Sequence, residues 1–249
     1  TYHAFENYWR GEAKIKSLIF TIISDADERN QALLSGDIDL LGGISFSYLD
    51  QMESNPDITV TPCDQNLVIQ YLGMNNKQIN KTWRKAISYA INYSYIIEEL
   101  KGGQAVRMKS PVPNGIIYAN DSFNVATYNL TKAREYMVSM GYGNMSWSNA
   151  TWQAQTFATF NYTYNIGNSF RENMLILLQD NLDLIGIEVT DAGMTWSDFL
   201  YRYLDINGGH DMLQLYWIVW IPDYNDPSNF INPLFSNYSI DNLAQVNVW

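Results

Sequence analysis

The feature that most constrains the fold is an alternation of apolar extended segments with amphipathic helical ones. Residues 14–24 (KIKSLIFTIIS) are rich in β-branched and aliphatic side chains, which predicts a buried β-strand. Asp25 is placed to cap a helix that follows, and Gly36 is placed to end it. A second short strand is predicted at residues 38–41. Strands that alternate with helices in this way predict a sheet with helices packed on it, an α/β fold.

The rest of the chain continues this alternation. An apolar stripe through Ala86, Ile87 and Ala90 predicts a helix that starts near residue 82, and Ser94 is expected to cap the next helix. Residues 222–235 are crowded with Asp, Asn and Pro and are predicted to be a loop. Further helices are predicted at residues 46–53, 95–100, 131–140, 169–184 and 196–204, and further strands at residues 67–74, 156–164, 187–190 and 212–220.

Composition excludes some classes of protein. Apolar residues make up 47% of the chain and aromatics 14%, which is too apolar for a disordered segment. The net charge of −11 argues against nucleic-acid binding, because phosphate recognition needs a basic surface. A single cysteine, Cys63, rules out an intramolecular disulfide, and it lacks the neighbours that would mark a nucleophile.

Residues that could carry catalysis or hold a metal are sparse. The two histidines, His3 and His210, are far apart and lack the spacing of a metal site. The sequence has no glycine-rich phosphate loop and no nucleophile elbow. Acidic pairs such as Asp223 with Asp226 could serve glycoside chemistry, but loop capping explains them better. We therefore predict no catalytic residue, no metal site and no cofactor.

Asn-x-Ser/Thr sequons are more frequent than composition predicts. The chain has 26 Asn and eight sequons, whereas chance would give about three. This excess predicts an exported glycoprotein, located outside the cell or in the cell envelope. Asn92 is set aside because it lies close to a predicted helix. The seven candidate acceptors are Asn80, Asn120, Asn129, Asn144, Asn149, Asn161 and Asn237.

The ends of the sequence and its longest apolar run bear on export and anchoring. Residues 1–10 are polar and aromatic, unlike a signal peptide. The longest apolar run, residues 213–221, contains Gln214 and ends at Pro222, so no membrane span is predicted. We expect the sequence to be part of a larger protein or to have been trimmed.

Six local patterns, in chain order, resemble the family 5 solute-binding proteins, which are the oligopeptide, dipeptide and nickel receptors of bacterial and archaeal ABC importers. Each pattern alone is weak, but together they cover nearly the whole chain. They are ISDADER with ALLSGDID at residues 23–39, YLGMN at 71–75, RKAISYAIN at 84–92, SPVP at 110–113, KAR at 132–134 with GY at 141–142, and WIPDYNDP at 220–227 with Phe230.

The resemblance implies a type II periplasmic-binding fold, in which two α/β lobes joined by crossing strands close over a ligand. It also implies an incomplete fold, with part of lobe I and most of lobe II. Residues 1–76 would be the later part of lobe I and a crossing strand, and residues 77–249 would be most of lobe II.

The same resemblance implies ligand-binding residues. Asp223 matches an aspartate that pairs with the α-ammonium of a bound peptide, although it could instead bond loop amides. Trp196 and Trp220 match aromatic residues that line the ligand cleft, and Trp217 is a further possible ligand contact or a core residue. The basic cleft residues of some oligopeptide receptors have no match here, since Trp217 and Tyr203 lie at the neighbouring positions. The resemblance therefore supplies no basic residue to recognise a peptide's C-terminal carboxylate.

The predicted function is therefore the extracellular solute-binding component of an ABC importer, which captures short peptides and works with the importer's membrane subunits. One alternative keeps the fold but binds oligosaccharides or another small solute, since indoles also stack on sugar faces. From a different class, the chain could be an extracellular hydrolase or a surface interaction module.

Overall fold

The computed structural model describes residues 1–61, 66–203 and 209–246, so Cys63 lies outside the described residues. By compactness the chain divides into two units, Thr1–Thr59 and Val60–Trp249. The assignment of residues 1–76 to lobe I and residues 77–249 to lobe II is a statement about relatives and stays a prediction.

The first unit contains a two-stranded antiparallel sheet and two helices. Its elements are β1 (Tyr2–His3), β2 (Ser17–Leu18), α1 (Ala26–Ser35), a 3₁₀ turn (Phe46–Tyr48) and α2 (Leu49–Glu53). The predicted ends of α1 are confirmed. The Asp25 side chain accepts hydrogen bonds from the backbone N–H groups of Asp27 and Glu28, and Gly36 ends the helix at φ 80°, a conformation that favours glycine.

Two strand predictions in this unit are wrong. Of residues 14–24 only Ser17–Leu18 forms a strand, and that strand is exposed; residues 38–41 form none in the described structure. Most apolar side chains of this segment are exposed to solvent, and Ile22 is 94% exposed. A buried strand needs hydrogen-bonding partners along its length and a covering layer, and within this unit only the two residues of β1 pair with it.

The second unit is built on a four-stranded sheet in the order β3-β6-β4-β5. Strand β3 (Ile69–Met74) is antiparallel to β6 (Leu215–Trp220), while β4 (Ala158–Asn165) is parallel to both β6 and β5 (Ile187–Met194). All four strands were predicted, with ends that differ by a few residues. The described helices are α3 (Lys81–Ala90), α4 (Tyr93–Tyr95) continued by a π-helical turn (Ile96–Leu100), α5 (Leu130–Ser139), α6 (Asn149–Gln153), α7 (Ser169–Asp183), α8 (Trp196–Tyr203), a 3₁₀ turn (Gly209–Met212) and α9 (Ser228–Phe235).

One face of the sheet carries the main core. Helices α3, α5 and α7 supply buried apolar side chains, and the predicted stripe of α3 is confirmed, since Ala86, Ile87 and Ala90 are fully buried. From the sheet, Tyr162 and Trp217 face this core. The opposite face packs on smaller clusters that involve α8 and α9.

The close packing of Tyr216 on the second face depends on Gly73. These residues are paired across β3 and β6, and a Cβ atom on Gly73 would lie 2.0 Å from the Tyr216 ring. Glycine therefore allows the buried ring to lie flat over the neighbouring strand.

Two local predictions in the second unit need correction, and one helix was not predicted. The helix after α3 is capped by Asn92, whose side chain accepts from the N–H of Tyr95, and not by Ser94. Residues 149–153 form the unpredicted helix α6, capped by Ser148. Residues 222–235, predicted as a loop, contain α9, because burial of its Phe230 and Leu234 stabilises a helix despite Pro233.

Candidate functional site

The cleft of interest opens on the second face of the sheet. It has a volume of about 160 Å³. Strands β3 and β6 contribute Tyr71, Ile218 and Trp220, helix α8 contributes Trp196 and Phe199, and the C-terminal segment contributes Asp241. The structure thus brings together two of the three residues predicted to bind ligand, Trp196 and Trp220.

Trp196 lies in the first turn of α8. The preceding Thr195 begins the helix, because its hydroxyl accepts from the N–H of Asp198 and donates to the Asp198 carboxylate. The indole stacks on the buried Phe199 ring, with centroids 5.4 Å apart and planes 10° apart, and remains 45% exposed. One face of the indole is therefore held in place by Phe199, while a large part of the side chain remains exposed.

Trp220 is the last residue of β6, and its indole is hydrogen-bonded to the buried side-chain amide of Asn229. Its indole N–H donates to Oδ1 of Asn229 at 3.3 Å, and the same oxygen accepts from the backbone N–H of Asp223 at 3.2 Å. Asn229 is 4% exposed and lies in the first turn of α9. Sequence reasoning did not identify it, because residues 222–235 were expected to be a loop.

Asp223, the third predicted ligand residue, is exposed and is not among the side chains that line the cleft. It follows Trp220 by three residues, and the shared contact with Asn229 holds its backbone beside that indole.

The carboxylate that does line the cleft belongs to Asp241, which sequence reasoning missed. Burial raises the pKa of Asp241, and the nearby His210 opposes this rise. Burial also raises the pKa of the Tyr71 hydroxyl, with a smaller contribution from the charge of Asp241. Asp241 reaches the cleft through contacts with residues far from it along the chain, and no local sequence pattern predicts such contacts.

Trp217 points to the other side of the sheet. It is 7% exposed, packs edge-on against Phe170 with centroids 5.3 Å apart, and donates its indole N–H to Gln70 at 3.3 Å. Of the two roles left open for Trp217, this position favours packing in the core.

The seven candidate glycosylation sites are all exposed. Several of these side chains also bond the backbone: Asn80 and Asn129 cap α3 and α5, while Asn120 and Asn144 accept from the N–H two residues further on. The requirement for helix caps and tight turns therefore explains part of the sequon excess. Their modification stays a prediction.

Within the described residues, no helix is both long and apolar enough to cross a membrane, and no group of three or more His, Cys, Asp or Glu side chains is arranged to hold a metal ion. This concerns residues 1–61, 66–203 and 209–246.

Comparison with known proteins places the chain in a family. The sequence profile of the bacterial extracellular solute-binding proteins, family 5 Middle, matches residues 1–242. The chain belongs to this family. The resemblance drawn from the six local patterns is therefore confirmed, and the following comparisons describe relatives within or near it.

Two curated relatives match almost the entire chain. Heme-binding protein A of Haemophilus influenzae is 26% identical in an alignment 251 positions long, which covers 99% of this chain and 43% of the relative. The dipeptide-binding protein of Escherichia coli is 25% identical in an alignment 251 positions long, which covers 100% of this chain and 44% of the relative. The chain thus spans less than half the length of these family 5 relatives.

Solved structures show the fold. The dipeptide binding protein from Pseudoalteromonas, in complex with Met-Leu, superposes with a TM-score of 0.79 at 21% identity, covering 93% of this chain and 43% of that one. The periplasmic binding protein DppA from Helicobacter pylori, in complex with the peptide STSA, gives 0.74 at 24% identity, covering 90% and 41%. The family 5 chain therefore has part of a type II periplasmic-binding fold, and the predicted fold class is confirmed.

Proposed function

We propose that the full-length protein is an exported solute-binding component of an ABC importer, that it captures short peptides, and that it catalyses no reaction. The observation that carries the proposal is an aromatic cleft, with walls from Trp196 and Trp220, beside the loop that presents Asp223. In support, curated relatives include a dipeptide-binding protein and a di/tripeptide-binding protein. The importer's membrane subunits are the proposed partners.

The chemistry of the aromatic cleft and that of Asp223 both suit a peptide. Rigid indoles can cover side chains of many shapes, since they bury a large area without a specific hydrogen-bond pattern. A carboxylate suits the α-ammonium that every free peptide carries at its N-terminus. Asp223 is exposed when no solute is bound, so the charge needs no internal partner before binding. Binding would then remove both charges from water while they pair.

The test uses the full-length protein and isothermal titration calorimetry against di- to pentapeptides, with matched N-acetylated peptides and oligosaccharides alongside. Asp223→Asn should weaken binding of free peptides by about 30-fold or more, since loss of one partner of an enclosed charge pair costs at least about 2 kcal/mol. The variant should bind the acetylated peptides as the parent does. The matched control is Asp226→Asn, which removes the same charge from an exposed carboxylate three residues away.

Two results would contradict the proposal. Binding confined to oligosaccharides would favour the sugar-binding alternative. Equal losses for Asp223→Asn and Asp226→Asn would show that Asp223 has no specific role in recognising the ammonium group.

A further inference from the structure

The aromatic cleft contains one charged side chain. Among the described residues that line it, Asp241 is acidic and the others are aromatic or aliphatic. Asp241 is partly buried, and a partly buried carboxylate is stabilised by a cation that comes close to it.

Among the described residues, none forms a hydrogen bond or an ion pair with this carboxylate. The backbone N–H of Asp241 donates to the Ser239 hydroxyl, and its backbone carbonyl accepts from the N–H of Leu243. By contrast, Asp211 pairs with Lys77 at 2.9 Å. The basic side chain that acts on Asp241 is His210, and burial lowers the pKa of this imidazole, which favours its neutral form.

The walls of the cleft favour the same kind of guest. Tryptophan is the best aromatic partner for a cation, and a desolvated cation–π contact is worth about 2 kcal/mol. Trp196 and Trp220 both line the space that Asp241 lines. Two indoles and an unpaired carboxylate therefore form a site whose chemistry matches an organic cation.

The size of the cleft limits what can enter. Its volume of about 160 Å³ is well below the roughly 300–1,000 Å³ typical of pockets that enclose a whole small-molecule ligand. The space therefore suits one side chain of a larger solute.

We propose that Asp241 is a specificity-determining residue that selects peptides carrying a lysine or arginine side chain, whose cationic group enters the cleft between Trp196 and Trp220. This inference rests on the proposed function, because it assumes that the solute is a peptide. It is separate from the role of Asp223, which concerns the α-ammonium and lies outside the cleft lining.

The experiment compares tripeptides that differ by one charge. Full-length protein is titrated calorimetrically with alanine tripeptides that carry lysine at each position in turn, and with the same peptides carrying norleucine, which keeps the aliphatic chain but lacks the ammonium group. We expect one lysine peptide to bind at least about tenfold more tightly than its norleucine match, which corresponds to about 1.4 kcal/mol. Asp241→Asn should reduce this ratio to below about twofold, and the control Asp226→Asn should keep the full ratio.

The outcomes separate the two proposals. If peptides bind but the lysine and norleucine forms bind equally in the parent protein, or if Asp241→Asn keeps the preference, the role of Asp241 is refuted and the proposed function stands. If no peptide binds, both proposals are refuted. The parent comparison needs no variant, and thermal unfolding of Asp241→Asn checks that its fold is intact.

Discussion

Asn229 should be the residue that most directly links stability to binding. Its Oδ1 is the common acceptor for the indole N–H of Trp220 and the backbone N–H of Asp223, and the side chain is 4% exposed. Asn229→Ala removes the acceptor for both donors and leaves a small void. The substitution therefore affects both Trp220 and Asp223 although neither of these residues is mutated.

The magnitude follows from the two contacts. A buried donor left without an acceptor costs about 1–3 kcal/mol. Trp220 is only partly buried and Asp223 is exposed, so water replaces part of what is lost. We expect the free energy of unfolding to fall by about 2 kcal/mol. We also expect peptide affinity to fall by about tenfold, because the loop and the indole lose the contact that orients them.

The assay is urea denaturation of the full-length protein, followed by tryptophan fluorescence, with calorimetric titration of a bound peptide in parallel. Asn229→Asp retains an acceptor oxygen in the same place and should keep more of the affinity than Asn229→Ala. Asn232→Ala, at an exposed position of the same helix, should change neither quantity. If Asn229→Ala unfolds at the parent's urea concentration and binds peptide equally well, the proposed anchoring is refuted.

Two further predictions concern Lys101 and the sequons. Burial, with a smaller contribution from Arg171, lowers the pKa of Lys101 to about 8, and its ammonium lies 3.6 Å from the centroid of the Phe170 ring. Between that value and the ordinary lysine value near 10.4, the unfolded chain binds a proton that the folded chain lacks, so stability should rise with pH. Allowing for partial exposure, the parent should gain about 2 kcal/mol relative to Lys101→Met between pH 7.5 and 10 by urea denaturation, and a constant difference would contradict the shift. Intact-mass measurement of protein purified from its native host should show glycans on exposed sequons such as Asn120, Asn144 and Asn149, and bare polypeptide would remove that support for export.

Local signals were sufficient for many helices and for the strands of the larger unit. The caps at Asp25 and Gly36 and the stripe of α3 involve residues within one or two turns of each other, so they are legible from a short stretch of sequence. The prediction of a buried strand at residues 14–24 failed for a related reason. The local pattern of a buried strand is present, but burial needs a partner strand and a covering layer, which the local sequence does not specify.

The candidate site divides in the same way. Its tryptophans were identified from local motifs, and the alternation of side chains along β6 places Trp217 and Trp220 on opposite faces of the sheet. Which face meets the main core and which meets the cleft was decided by tertiary packing. The role of Asn229 became visible only in the structure, where residues 228–235 form a packed helix. Asp241 was likewise identified only from the structure, where the C-terminal segment contributes to the cleft. The sequence by itself determined which groups are available, through short-range hydrogen bonding and periodicity. Which of them share a face or a cleft was decided by strand pairing and long-range burial, because those contacts join residues far apart along the chain.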